Sequence, residues 1–226
     1  MPSVTDRIRV AESRRRFADT FELWNRKVHF YLGLYFLFFL WLFAFTGLLL
    51  NHSGWRFQQF WPNRKISTFE RQIQPPPSGS DLEQARDLMR QLGIQGEIAM
   101  PITRPAPDRL EFRANRPGHM SDVKADLKQG RATVGITNIN FWGIIRVLHT
   151  FTGVRAADPG KERNWVLTTV WALSMDAVAA GLIVMVFGSL YMWWGLKRKR
   201  KLGMVALGLG IAVCGFFLFG LRWLYS

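Results

Sequence analysis

The chain divides into three long apolar stretches and one long polar stretch. Apolar residues concentrate at 28–50, at about 171–196 and at 203–225. Each stretch is long enough to cross about 30 Å of hydrocarbon, because an α-helix rises about 1.5 Å per residue. The pattern predicts transmembrane helices at 28–52, 166–196 and 203–226, with residues 53–165 forming one small extramembrane domain.

The polar stretch has the pattern of a small α+β domain. After a Pro-rich linker at 75–77, apolar residues recur at helical spacing over 82–92, and Gly93 follows as a stop signal. Apolar and polar residues then alternate over 109–114, 122–127 and 132–137, separated by Pro117-Gly118 and Gln129-Gly130. We therefore expect an amphipathic helix covering one face of antiparallel strands, whose other face is wet.

Basic residues beside the apolar stretches predict the orientation. Arg14, Arg15, Arg16, Arg26 and Lys27 lie in the N-terminal segment 1–27, and the link 197–202 begins with five consecutive basic residues. Because short basic segments stay in the cytoplasm, we expect the N-terminus inside and both the 53–165 domain and the C-terminus outside. The net charge of +14 then mainly indicates how the chain is oriented in the membrane. Nucleic-acid binding is not expected, since no soluble segment combines a basic face with stacking aromatics.

Several functional classes are disfavoured by what the sequence lacks. Its single cysteine, Cys214, lies in the third apolar stretch, which excludes a disulfide framework or a cysteine-based metal site. There is no Gly-rich phosphate loop after a strand, no HExxH motif and no nucleophile elbow, so nucleotide-cofactor binding and hydrolysis are not expected. The first apolar run has no small-residue cleavage site, and we interpret it as a retained anchor.

Two of the four histidines lie where the polar domain meets the apolar stretches. His52 ends the run TGLLLNH, and His149 lies in RVLHTFTG, shortly before the second predicted span. An imidazole at a membrane boundary is a potential metal or haem ligand. The alternative is a histidine that is simply accommodated in the half-wet headgroup layer.

The order of elements and three sequence segments resemble the PepSY-associated transmembrane family. The first helix of that family is similar to VHFYLGLYFLFFLWLFAFTGLLLNH, its strand-turn-strand to SDVKADLKQGRATV, and its exit helix to GLIVMVFGSLYMWWGLKRKR. The resemblance implies a bacterial inner-membrane protein with three transmembrane helices and a PepSY-like α+β periplasmic domain. Larger relatives include ferric-siderophore reductases that carry haem between helices, which implies haem b as the cofactor.

On this resemblance, His52 and His149 are candidate axial ligands of one haem b near the outer face. Asp176, the only acid within the predicted spans, is a candidate acceptor for a hydrogen bond from a ligand imidazole. An ion pair of Asp176 with Arg222 or Arg146 is the alternative, and in either case we expect protein to shield Asp176 from lipid.

His29, near the basic end of the first span, is a candidate for a second haem site. No other histidine lies in the second or third span. Such a site would therefore need Met192, Met204 or His29 from another copy of the chain as its second ligand.

Two functions from different classes remain open. The first is a haem-dependent reductase or electron-transfer subunit that takes electrons from membrane quinol or a partner and passes them to a periplasmic acceptor, such as a ferric chelate in iron uptake. The second is a non-catalytic PepSY binding or accessory subunit, anchored in the lipid bilayer as a homo-oligomer or as part of a larger membrane complex.

Overall fold

The computed structural model describes residues 4–152, 163–196 and 200–220. Within these ranges, three helices are long and apolar enough to cross a membrane: Arg15–Asn51, Val166–Gly195 and Arg200–Gly220. The prediction of a multi-pass membrane protein is thereby confirmed. The basic residues 197–199 and Arg222 lie outside the described ranges.

Five helices and five strands follow one another along the described chain. They are α1 (Val4–Asn51), β1 (Lys65–Gln72), α2 (Asp81–Leu92), β2 (Glu97–Ala106), β3 (Arg109–Arg116), β4 (His119–Asp126), β5 (Arg131–Asn138), α3 (Phe141–Thr150), α4 (Val166–Gly195) and α5 (Arg200–Gly215), which continues as a π-helical turn over Phe216–Gly220. The first helix thus starts well before the predicted span at residue 28 and includes most of the basic N-terminal segment.

The strands form one antiparallel sheet in the order β1-β5-β4-β3-β2. Phe112, Val123 and Val134 are direct neighbours across β3, β4 and β5, and all three are buried. Leu88 of α2 belongs to the same core and is fully buried. The predicted helix and alternating strands are confirmed, because the residues assigned to the dry face are those that α2 covers.

Helix α2 has well-formed ends. The Ser80 side chain accepts the backbone N–H of Glu83, and the Glu83 carboxylate accepts the backbone N–H of Ser80, a reciprocal capping box. The hydrogen bonds that Ser80 donates from its backbone N–H and its hydroxyl hold the pKa of the Glu83 carboxyl below its ordinary value. Gly93 ends the helix at φ 70°, a left-handed conformation that glycine adopts without strain.

The chain forms two compact units. One contains α1 up to Leu37, α4 from Val178 onward, and α5; the other runs from Phe38 to Ala177 and contains the sheet. Candidate chemistry occurs in each unit separately.

In the first unit, two glycines of α4 allow close packing against α1. A Cβ on Gly181 would lie 2.2 Å from Cε2 of Phe36, a side chain that is only 2% exposed. A Cβ on Gly188 would lie 2.6 Å from Oδ1 of Asn25, whose Nδ2 donates to the Gly188 carbonyl at 3.0 Å. Seven residues make about two helical turns, so both glycines lie on one face of α4 and permit helix contact of the small-residue type.

We predict that Gly181→Leu destabilises the packing of α4 on α1, because the Phe36 ring occupies the space of the new side chain. Overpacking of this kind costs about 1–3 kcal/mol. Thermal denaturation in detergent should show a lower midpoint for Gly181→Leu than for Ala180→Leu, which adds bulk at the adjacent exposed position. Equal midpoints for the two variants would contradict this packing.

Candidate functional site

The His149 ring forms a hydrogen bond with the buried hydroxyl of Thr46, the first residue of TGLLLNH. Its Nδ1 lies 2.7 Å from Oγ1 of Thr46, which is fully buried. The Thr46 hydroxyl donates to the carbonyl of Leu42 at 2.7 Å and also lies 3.2 Å from the carbonyl of Phe43. When the Thr46 hydroxyl donates to these carbonyls, it accepts the N–H of Nδ1, and Nε2 of the neutral His149 ring keeps its lone pair.

The rest of the His149 ring packs against the same face of α1. The Phe43 ring meets it edge-on, with centroids 5.2 Å apart. A Cβ on Gly47 would lie 3.9 Å from its Cε1. Thr46 therefore has a local structural role, the hydrogen bond to His149, whereas a Cβ at Gly47 would be in ordinary van der Waals contact with the ring.

His52 has a different environment. It is exposed and stacks on Trp55, with ring centroids 4.6 Å apart and planes 4° from parallel. Its carbonyl accepts hydrogen bonds from the Trp55 N–H at 3.0 Å and from the Gln58 side chain. Five residues turn a helix by about 140° beyond one full turn, so His52 leaves α1 on a side different from the one where Gly47 contacts His149.

A haem held by two histidines requires a particular arrangement of their rings. Two axial imidazoles must face one iron from opposite sides. His149 is oriented as a ligand would be, with one ring nitrogen fixed by a hydrogen bond and the other available. His52 instead stacks on Trp55, just beyond the end of α1, whereas His149 is hydrogen-bonded to Thr46 within α1. The structure thus gives His149 an orienting hydrogen bond and His52 a stacking partner, and ligation of haem b by the pair stays a prediction.

Asp176 is exposed on α4, so the expectation that protein shields it is wrong for the single chain. The described residues give it no ion pair with Arg146, whose guanidinium lies 5.1 Å from the centre of the Phe60 ring. The other suggested partner, Arg222, lies outside the described residues. The hydrogen bond from Asp176 to a ligand imidazole stays a prediction.

The edge of the sheet is joined to the start of α4 by a cluster that the sequence analysis missed. The Glu97 carboxylate, in a side chain only 2% exposed, accepts the backbone N–H groups of Asn164 at 2.6 Å and of Trp165 at 2.9 Å. The Asn164 side chain accepts the N–H of Ile98 at 2.7 Å and donates to its carbonyl at 2.9 Å. Because α4 begins at Val166, these bonds connect a membrane helix to edge strand β2. We call Glu97, Ile98, Asn164 and Trp165 the sheet–helix clamp.

Helix α3 adds further connections within this unit. The Trp171 indole on α4 donates to the carbonyl of Phe151 at 3.1 Å, just after α3 ends. At the other end of α3, the Asn140 side chain donates to the carbonyl of Gln59 at 3.1 Å. Together with the Thr46–His149 hydrogen bond, these contacts tie the last turns of α1 and the first turns of α4 to the sheet.

A cavity of about 390 Å³ lies beside α3, at the ends of the sheet strands. Phe60, Met120 and Val147 contribute to its mostly apolar wall, and Oδ1 of Asn115 is buried with no hydrogen-bond partner among the described residues. Part of the wall is Thr152, directly before the undescribed residues 153–162. The described residues hold no group of three or more His, Cys, Asp or Glu side chains suited to a metal ion.

We predict that Glu97→Gln loosens the sheet–helix clamp. A glutamine amide offers one acceptor oxygen where the carboxylate offers two, so one buried N–H of residues 164 and 165 loses its partner, at a cost of about 1–3 kcal/mol. Hydrogen–deuterium exchange in peptides covering 163–171 should become at least about fivefold faster. Glu111→Gln, at the half-buried Glu111 of β3, is the control and should leave this exchange unchanged; unchanged exchange in Glu97→Gln would contradict the prediction.

The chain was compared with protein-family models, curated proteins and solved structures. The model described as the PepSY-associated TM region matches residues 26–223. Neither the curated proteins nor the solved structures gave a significant match. The matched region contains both TGLLLNH and the sheet–helix clamp, and the resemblance carried by the three sequence segments is confirmed. The chain belongs to the PepSY-associated TM family.

Proposed function

We propose that this protein is a membrane-anchored accessory subunit that presents a PepSY-like domain on the periplasmic side of a bacterial inner membrane, for binding within a larger membrane complex. The observation that carries the proposal is the sheet–helix clamp. The side chains of Glu97 and Asn164 form four hydrogen bonds that join the sheet edge to the residues directly before α4.

A domain that only needed tethering would work on a flexible linker. Here the sheet is attached to α4 through the clamp and to α1 through α3, by way of the His149–Thr46 hydrogen bond. Such mounting attaches the sheet to the adjoining ends of two helices within the unit from Phe38 to Ala177. Fixed geometry favours docking to a partner in the same membrane, because little conformational freedom is lost on association.

The open face of the sheet offers a surface suited to such docking. Arg113 pairs with Asp122 at 2.6 Å, and Arg109 lies 3.8 Å from Asp126, so charges of both signs cover this face. Exposed ion pairs add little to the stability of a fold. They are suited to selecting a partner through charge complementarity.

The accessory role predicts that the tagged full chain, solubilised from native membranes in a mild detergent, migrates on native gels well above its own mass of 26.1 kDa. Glu97→Gln combined with Asn164→Ala should weaken this larger species while the chain still accumulates in the membrane. Glu111→Gln should leave it intact. Migration as a monomer, with no cross-linked species formed in native membranes, would rule the role out.

A second candidate function is haem b binding at His149, and the hydrogen bond of its Nδ1 to Thr46 favours it. This bond orients the ring, and in the tautomer with the proton on Nδ1 it leaves Nε2 as the nitrogen for iron. Bound haem would supply one-electron chemistry to a periplasmic acceptor such as a ferric chelate. The stacking of His52 on Trp55 leaves the second axial position unassigned.

Haem titration of the purified chain tests this candidate through the Soret band. We expect His149→Ala to abolish the band and Thr46→Val to broaden it or shift it, since the ring then loses its fixed orientation. His119→Ala is the control, because the two ring nitrogens of His119 lie within hydrogen-bonding distance of Asn138 and Ser121. Loss of the band in His52→Ala would restore the predicted ligand pair. A chain that gains no Soret band would exclude haem and leave the accessory role standing.

A further inference from the structure

Helix α4 carries one charged side chain, and it lies within the membrane-spanning stretch. The helix Val166–Gly195 is a candidate span, and Asp176 is its only acidic or basic residue. Asp176 lies about 15 Å along the helix axis from Val166 and about 25 Å from Trp193, at 1.5 Å per residue. Tryptophan is typical of the membrane interface, so a hydrocarbon core of about 30 Å that ends near Trp193 includes Asp176.

The described residues leave the Asp176 carboxylate without an ion pair or a hydrogen bond. Its side chain is exposed. The Arg146 guanidinium lies over the Phe60 ring, and Nδ1 of His149 bonds to Thr46. A carboxylate that faces hydrocarbon is unfavourable, and acidic residues inside membrane spans almost always face other protein groups or paired charges. Asp176 therefore indicates a contact that the described chain does not supply.

The residues around Asp176 form an exposed surface on which a second helix can pack. Leu173, three residues earlier, is 62% exposed, and Ala177 and Ala180 are also exposed. We call these three residues and Asp176 the Asp176 face. Gly181, where α4 packs against α1, is five residues beyond Asp176 and so lies about 140° around the helix axis. Alanines at the contact allow close approach of two helix backbones, so that a side chain of the second helix can reach the carboxylate.

We propose that the Asp176 face docks a transmembrane helix of a different membrane protein, and that this helix carries a lysine or arginine opposite Asp176. The proposal rests on the accessory role, because it names the contact that the partner makes within the bilayer. A carboxylate accepts hydrogen bonds and carries negative charge, and a basic side chain satisfies both requirements at once.

The sequence favours a different protein over a second copy of this chain. The three apolar stretches, at 28–50, 171–196 and 203–225, contain no lysine, and their only arginine is Arg222. The described spans of a second copy therefore offer no lysine or arginine to Asp176. Arg222 lies outside the described residues, and its contribution is separated from that of a partner by its own variant.

Site-specific photocrosslinking in native membranes tests the contact. In the full chain, Leu173 is replaced by benzoylphenylalanine, and the crosslinked peptide is identified by mass spectrometry. We expect a peptide from another membrane protein, with a lysine or arginine inside an apolar segment. Asp176→Asn keeps the size of the side chain but removes its charge, and should lower the crosslink yield at least about fivefold.

Two further variants show whether the charge is what matters. Asp176→Glu keeps the carboxylate and should retain the crosslink. Ser174→Ala is the matched control in the same span, because the Ser174 hydroxyl donates to the Val170 carbonyl of its own helix; it should also retain the crosslink. Asp176→Lys should remove the crosslink, and an acidic residue in place of the partner's basic residue should then restore it.

A role of Asp176 within its own chain gives a different result. No described residue bonds to the carboxylate, so purified Asp176→Asn should keep the thermal midpoint of the unchanged chain in detergent. A lower midpoint overturns the proposal, as does an equal loss of crosslinking in Arg222→Gln. Crosslinks only to lipid, to a second copy or to a helix without lysine or arginine overturn it as well.

The failure of this contact can be distinguished from the failure of the accessory role. A larger species on native gels that survives Asp176→Asn, together with unchanged crosslinking, overturns the docking contact and leaves the accessory role standing. Migration of the unchanged chain as a monomer, with no crosslinked species, removes both.

Discussion

The buried carboxylate of Glu97 is the interaction on which the placement of the sheet domain depends. It lies on edge strand β2, where unpaired backbone groups would otherwise face solvent. It accepts the N–H groups of residues 164 and 165, directly before α4, and the Asn164 side chain in turn pairs with the N–H and the carbonyl of Ile98 on that edge. A protein with a small sheet and long membrane helices thereby behaves, from Phe38 to Ala177, as one compact unit. The proposed role as a presenting subunit rests on this attachment of the sheet to the helix ends.

The membrane helices obey a different constraint. Hydrocarbon provides no hydrophobic driving force for helix association, so α1 and α4 associate through close contact at Gly181 and Gly188 and through the hydrogen bond from Asn25. In the same described helices, Nδ1 of His29 and Nε1 of Trp193 are buried without hydrogen-bond partners.

Much of this architecture could be predicted from the sequence, because its signals are strong and local. Three apolar stretches of membrane length and the alternation around Leu110, Phe112 and Val123 correspond directly to elements of the structure. Strand β1 escaped prediction because nearly all its residues are exposed, and β2 because Pro101 and Pro105 interrupt its pattern. The N-terminal extension of α1 was missed because helix prediction rested on hydrophobicity, which begins only near residue 28.

The candidate site was less predictable, because it depends on contacts between residues distant in sequence. His149 was identified as a potential ligand, but no local sequence pattern indicated that its Nδ1 would form a hydrogen bond with Thr46. The pairing of His52 with His149 came from their positions and from the family resemblance; the structure shows His52 stacked on Trp55, and the pair stays a prediction. The role of Glu97 could not be predicted, because its hydrogen-bond partner Asn164 lies far away in the sequence.

Distances between two spin labels test the central claim of a rigid mounting most directly. With Cys214 replaced by serine, labels at Lys124 on the open face of the sheet and at Leu173 on α4, both exposed, report the geometry within this unit in nanodiscs. The account predicts a single narrow distance distribution that broadens when Glu97 and Asn164 are both replaced. A broad distribution in the chain with Glu97 and Asn164 intact would contradict it.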